Sequence, residues 1–176
     1  MPTSLLDVRA RWGYSEIADT NFSQLYGNAA PIEALRAKRR ANVPFDQLMP
    51  TERRELAHAC AWVRQSLFVA FEGIEQFEVT PLSHAELGRL LVPPNVWRDS
   101  GGRFCLFSHY ITTTTNEAGD ARPIGPPTGS YQPPVDPLTV GRFDSHHVLI
   151  DGYHRAALFW KYGPSDGNVA AYMPIA

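Results

Sequence analysis

Four residues near the C-terminus combine phosphate-binding side chains with a glycine that bends the backbone. They are Asp151, Gly152, His154 and Arg155. A glycine in a tight turn lets the backbone approach a ligand closely, and the free N–H groups of a helix N-terminus attract anions. Because the helix dipole disfavours cations at this end, an anion between His154 and Arg155 would relieve the conflict. The pattern therefore predicts a phosphate-binding turn.

The flanking sequence predicts the elements that hold this turn. The apolar, β-rich run HHVLI leads directly into Asp151, and a helix is predicted from Tyr153 to Tyr162. Gly163 and Pro164 end that helix, and VAAYMPI predicts a final strand. The order is strand, glycine turn, helix and strand.

Carboxylates and histidines around the turn are candidates for holding a metal ion. Alternate residues of a strand share a face, so His147 and Asp151 are expected on one face, about 6 to 7 Å apart. That spacing suits joint contact with a metal or a phosphate, whereas a histidine at a strand start is also commonly exposed and inert. Phosphoryl transfer needs charge neutralisation, assigned to Arg155, and an oriented nucleophile, assigned to Asp151 directly or through Mg²⁺. Asp144 and Glu78 would contribute only if folding brings them close.

The run from Ile150 to Ala156, followed by an apolar helix, GPSDG and VAAYMP, resembles the signature of the ParB/sulfiredoxin superfamily. The close match covers about 35 residues at the C-terminus. Upstream, FEVTPLSHAELGRL followed by Arg98 resembles more loosely the strand and helix that open the family's domain. The resemblance implies an α+β fold, with a mixed sheet, short helices and a phosphate-binding turn at a helix N-terminus.

Carried over by position, the resemblance makes Gly152 the close-approach glycine, Arg155 the phosphate-binding arginine and His154 a second phosphate ligand. Asp151 becomes an orienting or metal-facing carboxylate, and the implied ligands are ATP or another nucleotide with Mg²⁺. Tyr153, also in the nucleotide-binding turn, stands where the sulfiredoxin branch has its catalytic cysteine, so sulfinic acid reductase activity is not expected. The chain ends about twenty residues after the arginine, so a sequence-specific partition clamp is not expected either.

Three functions follow as alternatives. A resemblance to stand-alone plasmid fertility-inhibition proteins implies an ATPase and DNase, a hydrolase acting against the transfer of conjugative plasmids or T-DNA. A resemblance to the free-serine kinase branch implies phosphate transfer to a small hydroxyl, and a third function is a non-catalytic, nucleotide-sensing interaction module. We prefer the first, because no segment looks like a dedicated amino-acid pocket. The expected partners are a nucleotide, DNA and a protein of a DNA-transfer apparatus.

The N-terminal part of the chain is predicted to be mainly helical. A helix is expected from Pro31 to about Ala41, and apolar spacing predicts a longer one from about Thr51 to Gly73. Basic residues near the end of the first helix suit the helix dipole and also suit a DNA backbone. The predicted DNA-binding residues are Arg36, Lys38, Arg39 and Arg40, with Arg53 and Arg54 as additional cations.

The middle of the chain has mixed signals. FEVT predicts a short strand that Pro81 ends, and Ser83 followed by Glu86 predicts a capping box that opens a short helix. His84 beside Glu86 also suggests a histidine and carboxylate pair for catalysis, but the helix start explains the glutamate fully.

Two further segments are expected between this helix and the phosphate-binding turn. The alternating run RFCLFSHYITTTT predicts one long strand or a hairpin arm. The stretch from Arg122 to Pro137 has six prolines and two glycines, which excludes regular structure. It is either a lid or binding loop, or a surface insertion without a role.

Composition bounds the remaining possibilities. The 176 residues are predicted to form a helical segment, 1–74, and a ParB/sulfiredoxin-like nucleotide-binding domain, 75–176. Hydrophobic residues make up 44% of the chain, enough for a buried core. The net charge of −2 provides no global positive field, so any nucleic-acid contact must be local.

Cysteine content and hydropathy bear on the compartment. Cys60 and Cys105 are isolated, which suits a reduced chain and excludes a CxxC metal or redox pair. The N-terminus has no apolar signal region, and no apolar run approaches the eighteen or more residues of a membrane span. We therefore expect a cytoplasmic protein.

Overall fold

The structure is a computed structural model that describes residues 2–19, 22–93, 104–113 and 130–175. Within these ranges the chain has an α+β fold, and it divides into two compact units, residues 1–77 and 78–176. The sequence-based boundary lies between residues 74 and 75. The helices are α1 (Leu5–Glu16), α2 (Ala30–Arg40), α3 (Pro50–Val63), α4 (His84–Arg89), α5 (Phe107–Thr113) and α6 (Tyr153–Tyr162). The strands are β1 (Thr3–Ser4), β2 (Gln76–Leu82), β3 (Leu91–Val92), β4 (Cys105–Leu106), β5 (Leu138–Phe143), β6 (His146–Asp151) and β7 (Val169–Pro174).

The first unit is held together by the packing of α1 on α3. The helices approach closely at Gly13, where a Cβ would lie 3.0 Å from the carbonyl oxygen of Leu56. Strand β1 pairs antiparallel with the start of β2, with Thr3 opposite Phe77. Helix α2 has the predicted position, with Pro31 in its first turn, so that prediction is confirmed.

Helix α3 ends at Val63, so the prediction of a helix continuing to Gly73 was wrong. The chain continues as a 3₁₀ helix, Gln65–Phe71. The residue at the break is Arg64, whose guanidinium pairs with the buried carboxylate of Glu16 and lies 4.3 Å from the ring centre of Phe22. The same carboxylate accepts hydrogen bonds from the Trp12 indole and the Tyr26 hydroxyl. Helix α3 thus ends where the next residue, Arg64, joins this buried polar network. The apolar spacing of the sequence does not indicate that end.

In the second unit, strands and helices form a mixed sheet with one helix-covered core. The strand order is β2-β7-β5-β6-β3-β4. Strands β5 and β6 form an antiparallel hairpin, while β7 runs parallel to β5 and β3 parallel to β6. Fully buried side chains of the core come from both layers: Leu87 from α4, Phe107 from α5, Phe159 from α6, and Leu138, Val140, Leu149 and Ala171 from the sheet.

The elements around the glycine turn agree with the sequence predictions. Strand β6, helix α6 and strand β7 are all present, and α6 has the predicted bounds. The Ser83 capping box is also confirmed, because the Ser83 N–H donates to Glu86 at 2.8 Å and the Glu86 N–H donates back at 3.4 Å.

In the second unit two predictions were wrong and one strand was missed. The run RFCLFSHYITTTT contains a two-residue strand and then α5, because Phe107 and Ile111, one helical turn apart, are both buried in the core. Strand β5 was not predicted, since its alternation of Leu138 and Val140 with small or polar residues follows directly on the proline-rich stretch. Pro81 lies inside β2 rather than at its end. Among the described residues, β1 pairs with Gln76 and Phe77 of β2, which leaves this edge of β2 open at Pro81, where a proline is tolerated.

The part of the proline-rich stretch at 122–129 lies outside the described residues, so its role as a lid or an insertion stays a prediction. None of the helices described is both long enough and apolar enough to span a bilayer.

Candidate functional site

Gly152 makes the turn between β6 and α6 and has the left-handed φ of 95°. A Cβ at this position would lie 2.7 Å from Cδ2 of Leu138 and 3.1 Å from Nη2 of Arg155. The missing side chain is therefore required by the backbone angle and by the protein's own packing. Sequence reasoning assigned this space to a ligand, whereas the structure fills it with Leu138 and the Arg155 guanidinium.

Tyr153 fastens the start of α6 to the preceding strand. Its hydroxyl donates to the Leu149 carbonyl oxygen, and its ring meets Tyr110 edge to face with ring centres 6.2 Å apart. Burial raises the pKa of the Tyr153 hydroxyl well above its ordinary value, and the nearby Asp151 and Tyr110 raise it further. Tyr153, predicted as a nucleotide ligand, thus has a structural role in this conformation.

Arg155 makes three hydrogen bonds to other residues that the structure describes. Nη1 donates to the carbonyl oxygens of Asp136, at 2.8 Å, and Pro137, at 3.1 Å, and Nη2 pairs with the Asp151 carboxylate at 2.7 Å. The negative charge beside Arg155 is thus the carboxylate of Asp151, whereas the sequence predicted a bound anion there. The guanidinium also holds the end of the proline-rich stretch beside the turn, a role that no sequence pattern indicates.

His154 is the exposed member of the turn. Its side chain lies in the first turn of α6, on the solvent side of the helix start. The N-cap residue, Gly152, has no side chain to bond the first N–H groups of the helix, and its carbonyl accepts the Ala156 N–H at 2.8 Å. The first-turn N–H groups and the His154 imidazole are therefore the groups that an incoming anion would meet.

The shared face predicted for His147 and Asp151 was wrong. Along the hairpin, Arg142 faces His147 and Val140 faces Leu149, but Thr139 faces Asp151. One residue step on β5 thus matches two on β6, which is the count of a β-bulge. Directly opposed residues of antiparallel strands share a face, so the bulge puts Asp151 on the opposite face from His147.

The predicted Mg²⁺ ligands therefore do not fit one ion. Among the residues that the structure describes, no group of three His, Cys, Asp or Glu side chains converges as a metal site would require. Asp144 lies in the hairpin turn, with φ of 51°, at the opposite end of β6 from Asp151. Glu78 is an exposed residue of β2. We derive no step through a metal held by His147 and Asp151.

The predicted DNA-binding cluster is divided by the fold of the first unit. Arg36 is only 4% exposed, and its guanidinium donates to the carbonyls of Ile17 and Ser23 and to the side chains of Asn28 and Glu33. A buried guanidinium with four acceptors cannot reach a phosphate backbone without breaking them. Arg36 therefore has a structural role in the first unit, and its burial argues against the predicted contact with DNA.

The other three basic residues differ in their surroundings. Lys38 donates to Glu52 at 2.6 Å, and that hydrogen bond is the main cause that lowers the pKa of the Glu52 carboxyl. Arg39 lies over the Tyr14 ring, 5.5 Å from its centre, and Arg40 is exposed. DNA binding by these residues stays a prediction.

His84 and Glu86 do not form a catalytic pair. The Glu86 carboxylate accepts from the Ser83 hydroxyl and backbone N–H, and these bonds lower the pKa of Glu86. The His84 ring instead packs against Phe159, with ring centres 4.2 Å apart and the ring planes tilted by 32°. Both residues are explained by the start of α4 and its packing on α6.

No protein-family model matches this chain, and searches of curated proteins and of solved structures found no similar protein. The resemblance to the ParB/sulfiredoxin superfamily stays a prediction based on the residues around Gly152.

Proposed function

We propose that this protein binds the phosphate groups of a nucleotide at the N-terminus of α6. The observation that supports this proposal most is the helix start itself: a left-handed Gly152 with no capping side chain, followed directly by the exposed His154. Backbone N–H groups and an imidazole at a helix N-terminus suit an oxyanion.

In this proposal Arg155 holds the turn in place, and His154 with the first N–H groups of α6 contacts the phosphate. A guanidinium has five N–H donors, and the described contacts of Arg155 use Nη1 twice and Nη2 once. Because Asp151 is 2.7 Å from Nη2, a phosphate beside Arg155 would be repelled by the carboxylate. The phosphate is therefore expected on the His154 side of the turn.

We further propose ATP hydrolysis as the activity of this site. Asp151 is the carboxylate at the turn, and in this role it would accept a hydrogen bond from the attacking water. DNA cleavage, and action against DNA transfer, rest on the family resemblance. The burial of Arg36 removes one of the four cations that were expected to bind DNA.

A second candidate is a nucleotide-sensing module without turnover. It is favoured by the contacts from Arg155 to the carbonyls of Asp136 and Pro137, which connect the turn to the end of the proline-rich stretch. A phosphate that attracted the guanidinium would weaken these contacts, so binding at the turn would change how residues 130–137 are held.

The test is phosphate release from ATP, with and without Mg²⁺ and with single-stranded or duplex DNA. The variants are His154→Ala, Arg155→Lys and the matched control His146→Ala, an exposed histidine at the other end of β6. Release that falls in the first two variants and not in the control supports the hydrolase. Nucleotide binding without release supports the sensing module. No binding by the folded wild type would refute both candidates.

A further inference from the structure

The peptide bond between Asp136 and Pro137 has a chemistry that no other bond of the chain shares. Asp136 is the only aspartate that is followed by a proline. An aspartate carboxylate can reach its own carbonyl carbon by closing a small ring, so it can act as a nucleophile on the bond that follows it. The nitrogen of a proline belongs to a tertiary amide, which takes up a proton more readily than an ordinary peptide nitrogen and therefore leaves more easily. For these two reasons an Asp–Pro bond is cleaved by acid more easily than other peptide bonds.

The Asp136 carbonyl accepts a hydrogen bond from a cation in the folded chain. Nη1 of Arg155 donates to this carbonyl oxygen at 2.8 Å. The guanidinium is fixed in that position, because it also donates to the Pro137 carbonyl at 3.1 Å and pairs with the Asp151 carboxylate at 2.7 Å. A positively charged donor at a carbonyl oxygen stabilises the negative charge that this oxygen gains when the carbon is attacked.

The two sides of the bond differ in how firmly they are held. Pro137 leads directly into β5, where Leu138 is fully buried and is paired with Ala171 of β7. Asp136 is exposed, and within the described ranges its carboxylate makes no hydrogen bond or ion pair. The carboxylate is therefore able to turn onto its own carbonyl carbon, while β5 and Arg155 keep that carbonyl in place.

We propose that this chain cleaves itself between Asp136 and Pro137. A carboxylate oxygen of Asp136 attacks the carbonyl carbon of the same residue, and Arg155 donates to the oxyanion that forms. The C–N bond then breaks to give a cyclic anhydride, and the Pro137 nitrogen takes the proton that the Asp136 carboxylic acid releases. One water molecule opens the anhydride, which leaves one chain ending at Asp136 and a second beginning at Pro137. Water is the only other reactant, and this activity does not rest on the binding of a nucleotide.

The two products are expected to stay together after cleavage. Strand β3, in the first product, pairs with β6 of the second through Leu91 and Val148. Both products also contribute to the core of the second unit, with Leu87 from the first and Phe159 from the second. The cut would thus free residues 130–136 from β5 and leave the pairing of β3 with β6 intact.

Intact-mass spectrometry of the full chain, at mildly acidic pH and without nucleotide, follows the reaction. The 19.6 kDa chain is expected to give residues 1–136 and 137–176, and N-terminal sequencing should find a new chain that starts at Pro137. Cleavage should be about tenfold or more faster in the native chain than in the same chain unfolded in guanidinium chloride, because Arg155 is beside the carbonyl only in the folded state.

Variants separate the roles of Asp136 and Arg155. Asp136→Glu keeps the charge and the backbone contact with Arg155 but needs a larger ring, so cleavage should fall about tenfold or more in both native and unfolded chains. Arg155→Gln should lower the native rate to that of the unfolded chain and should leave the unfolded rate unchanged. The matched control is Asp166→Ala, which changes another exposed aspartate in a turn and should cleave like wild type.

Three results would overturn the proposal. They are a mass that stays at 19.6 kDa, a native chain that is cleaved no faster than the unfolded one, and cleavage that Asp136→Glu does not slow. Circular dichroism checks the fold of Arg155→Gln. If that variant does not fold, the native and unfolded wild-type rates, together with Asp136→Glu, still decide the outcome, because the Asp136 side chain is exposed and its replacement should not disturb the fold.

Discussion

Two constraints act on Gly152 at once, a positive φ and side chains packed where a Cβ would stand. Gly152→Ala is therefore expected to destabilise the protein by about 2 to 4 kcal/mol, from the left-handed backbone and the overlap with Leu138. Gly73→Ala is the matched control, because Gly73 also has a positive φ, 70°, but no atom within 4 Å of the added Cβ. It should cost about 1 kcal/mol. Urea unfolding of both variants measures the difference, and equal costs would contradict the packing described for Gly152.

Replacing the Asp151 carboxylate is expected to have opposite effects on the binding of ATP and on its hydrolysis. Asp151→Asn removes a negative charge from the turn while keeping the size of the side chain, so ATP should bind about threefold more tightly or better. Phosphate release should fall, because the carboxylate proposed to orient the attacking water is lost. Calorimetric titration and a phosphate assay measure the two effects.

The control for this prediction is Asp136→Asn, because Asp136 contacts Arg155 through its carbonyl and not its carboxylate. It should change neither quantity. Weaker ATP binding in Asp151→Asn would show that the carboxylate holds the ligand, directly or through a metal.

At the scale of elements, the hairpin of β5 and β6 is expected to make stability depend on pH. His147 is opposite Arg142, and desolvation, followed by the charge of Arg142, lowers the pKa of His147 from its ordinary value of 6.5. The unfolded chain then takes up the proton before the folded one does, so this contribution to stability is lost as the pH falls below about 6.5. His147→Gln should flatten the pH dependence of the unfolding free energy between pH 7 and 5, because it removes the group whose pKa differs between the folded and unfolded chain. Urea unfolding at several pH values measures this dependence. A pH dependence that survives in His147→Gln would contradict the assignment.

Helix α2 depends on Arg36 for its attachment to the rest of the first unit. Arg36 bonds to the carbonyl that follows α1, to the Ser23 carbonyl and to Asn28. Arg36→Ala leaves these acceptors without a donor and is expected to cost about 3 kcal/mol. The exposed Arg40→Ala should stay within about 0.5 kcal/mol of wild type. If chemical denaturation finds the two variants equally stable, the structural role of Arg36 is wrong.

The sequence correctly predicted those helices whose local signals agree with the way their side chains pack. Helix α6 starts at a glycine and ends at Gly163, and α4 starts at a capping serine, so their positions follow from the sequence. Helix α5 does not, because its threonines and aromatic residues favour a strand, and only the burial of Phe107 and Ile111 makes it helical. The end of α3 at Arg64 depends on Glu16, a residue far away in the sequence.

For the candidate site as a whole, sequence alone identified the turn but not how its side chains are used. The order of strand, glycine and helix follows from local patterns, so Asp151, Gly152 and Arg155 are brought together as expected. The bulge that separates His147 from Asp151 and the carbonyls that bind Arg155 depend on strand register and on a segment with no periodic pattern. Long-range contacts of this kind cannot be predicted from residue spacing or from the composition of the sequence.

The balance of charges in the chain argues against a broad DNA-binding surface. Residues 1–77 have nine Lys or Arg and nine Asp or Glu, and most of the cations with described partners bind acids or stack on aromatic rings. No uniform positive surface is expected from such a balance. The nucleotide turn, and not the basic helix, is therefore the central element of the proposed function.

The most direct test of that function is a calorimetric titration of the full chain with ATP, with and without Mg²⁺. Wild type is compared with His154→Ala, and with Tyr162→Phe as a control near the opposite end of the same helix. We predict saturable binding of one ATP per chain that weakens about tenfold or more in His154→Ala and not in the control. Equal affinity in all three proteins, or no binding to a folded wild type, would contradict a phosphate site at the N-terminus of α6.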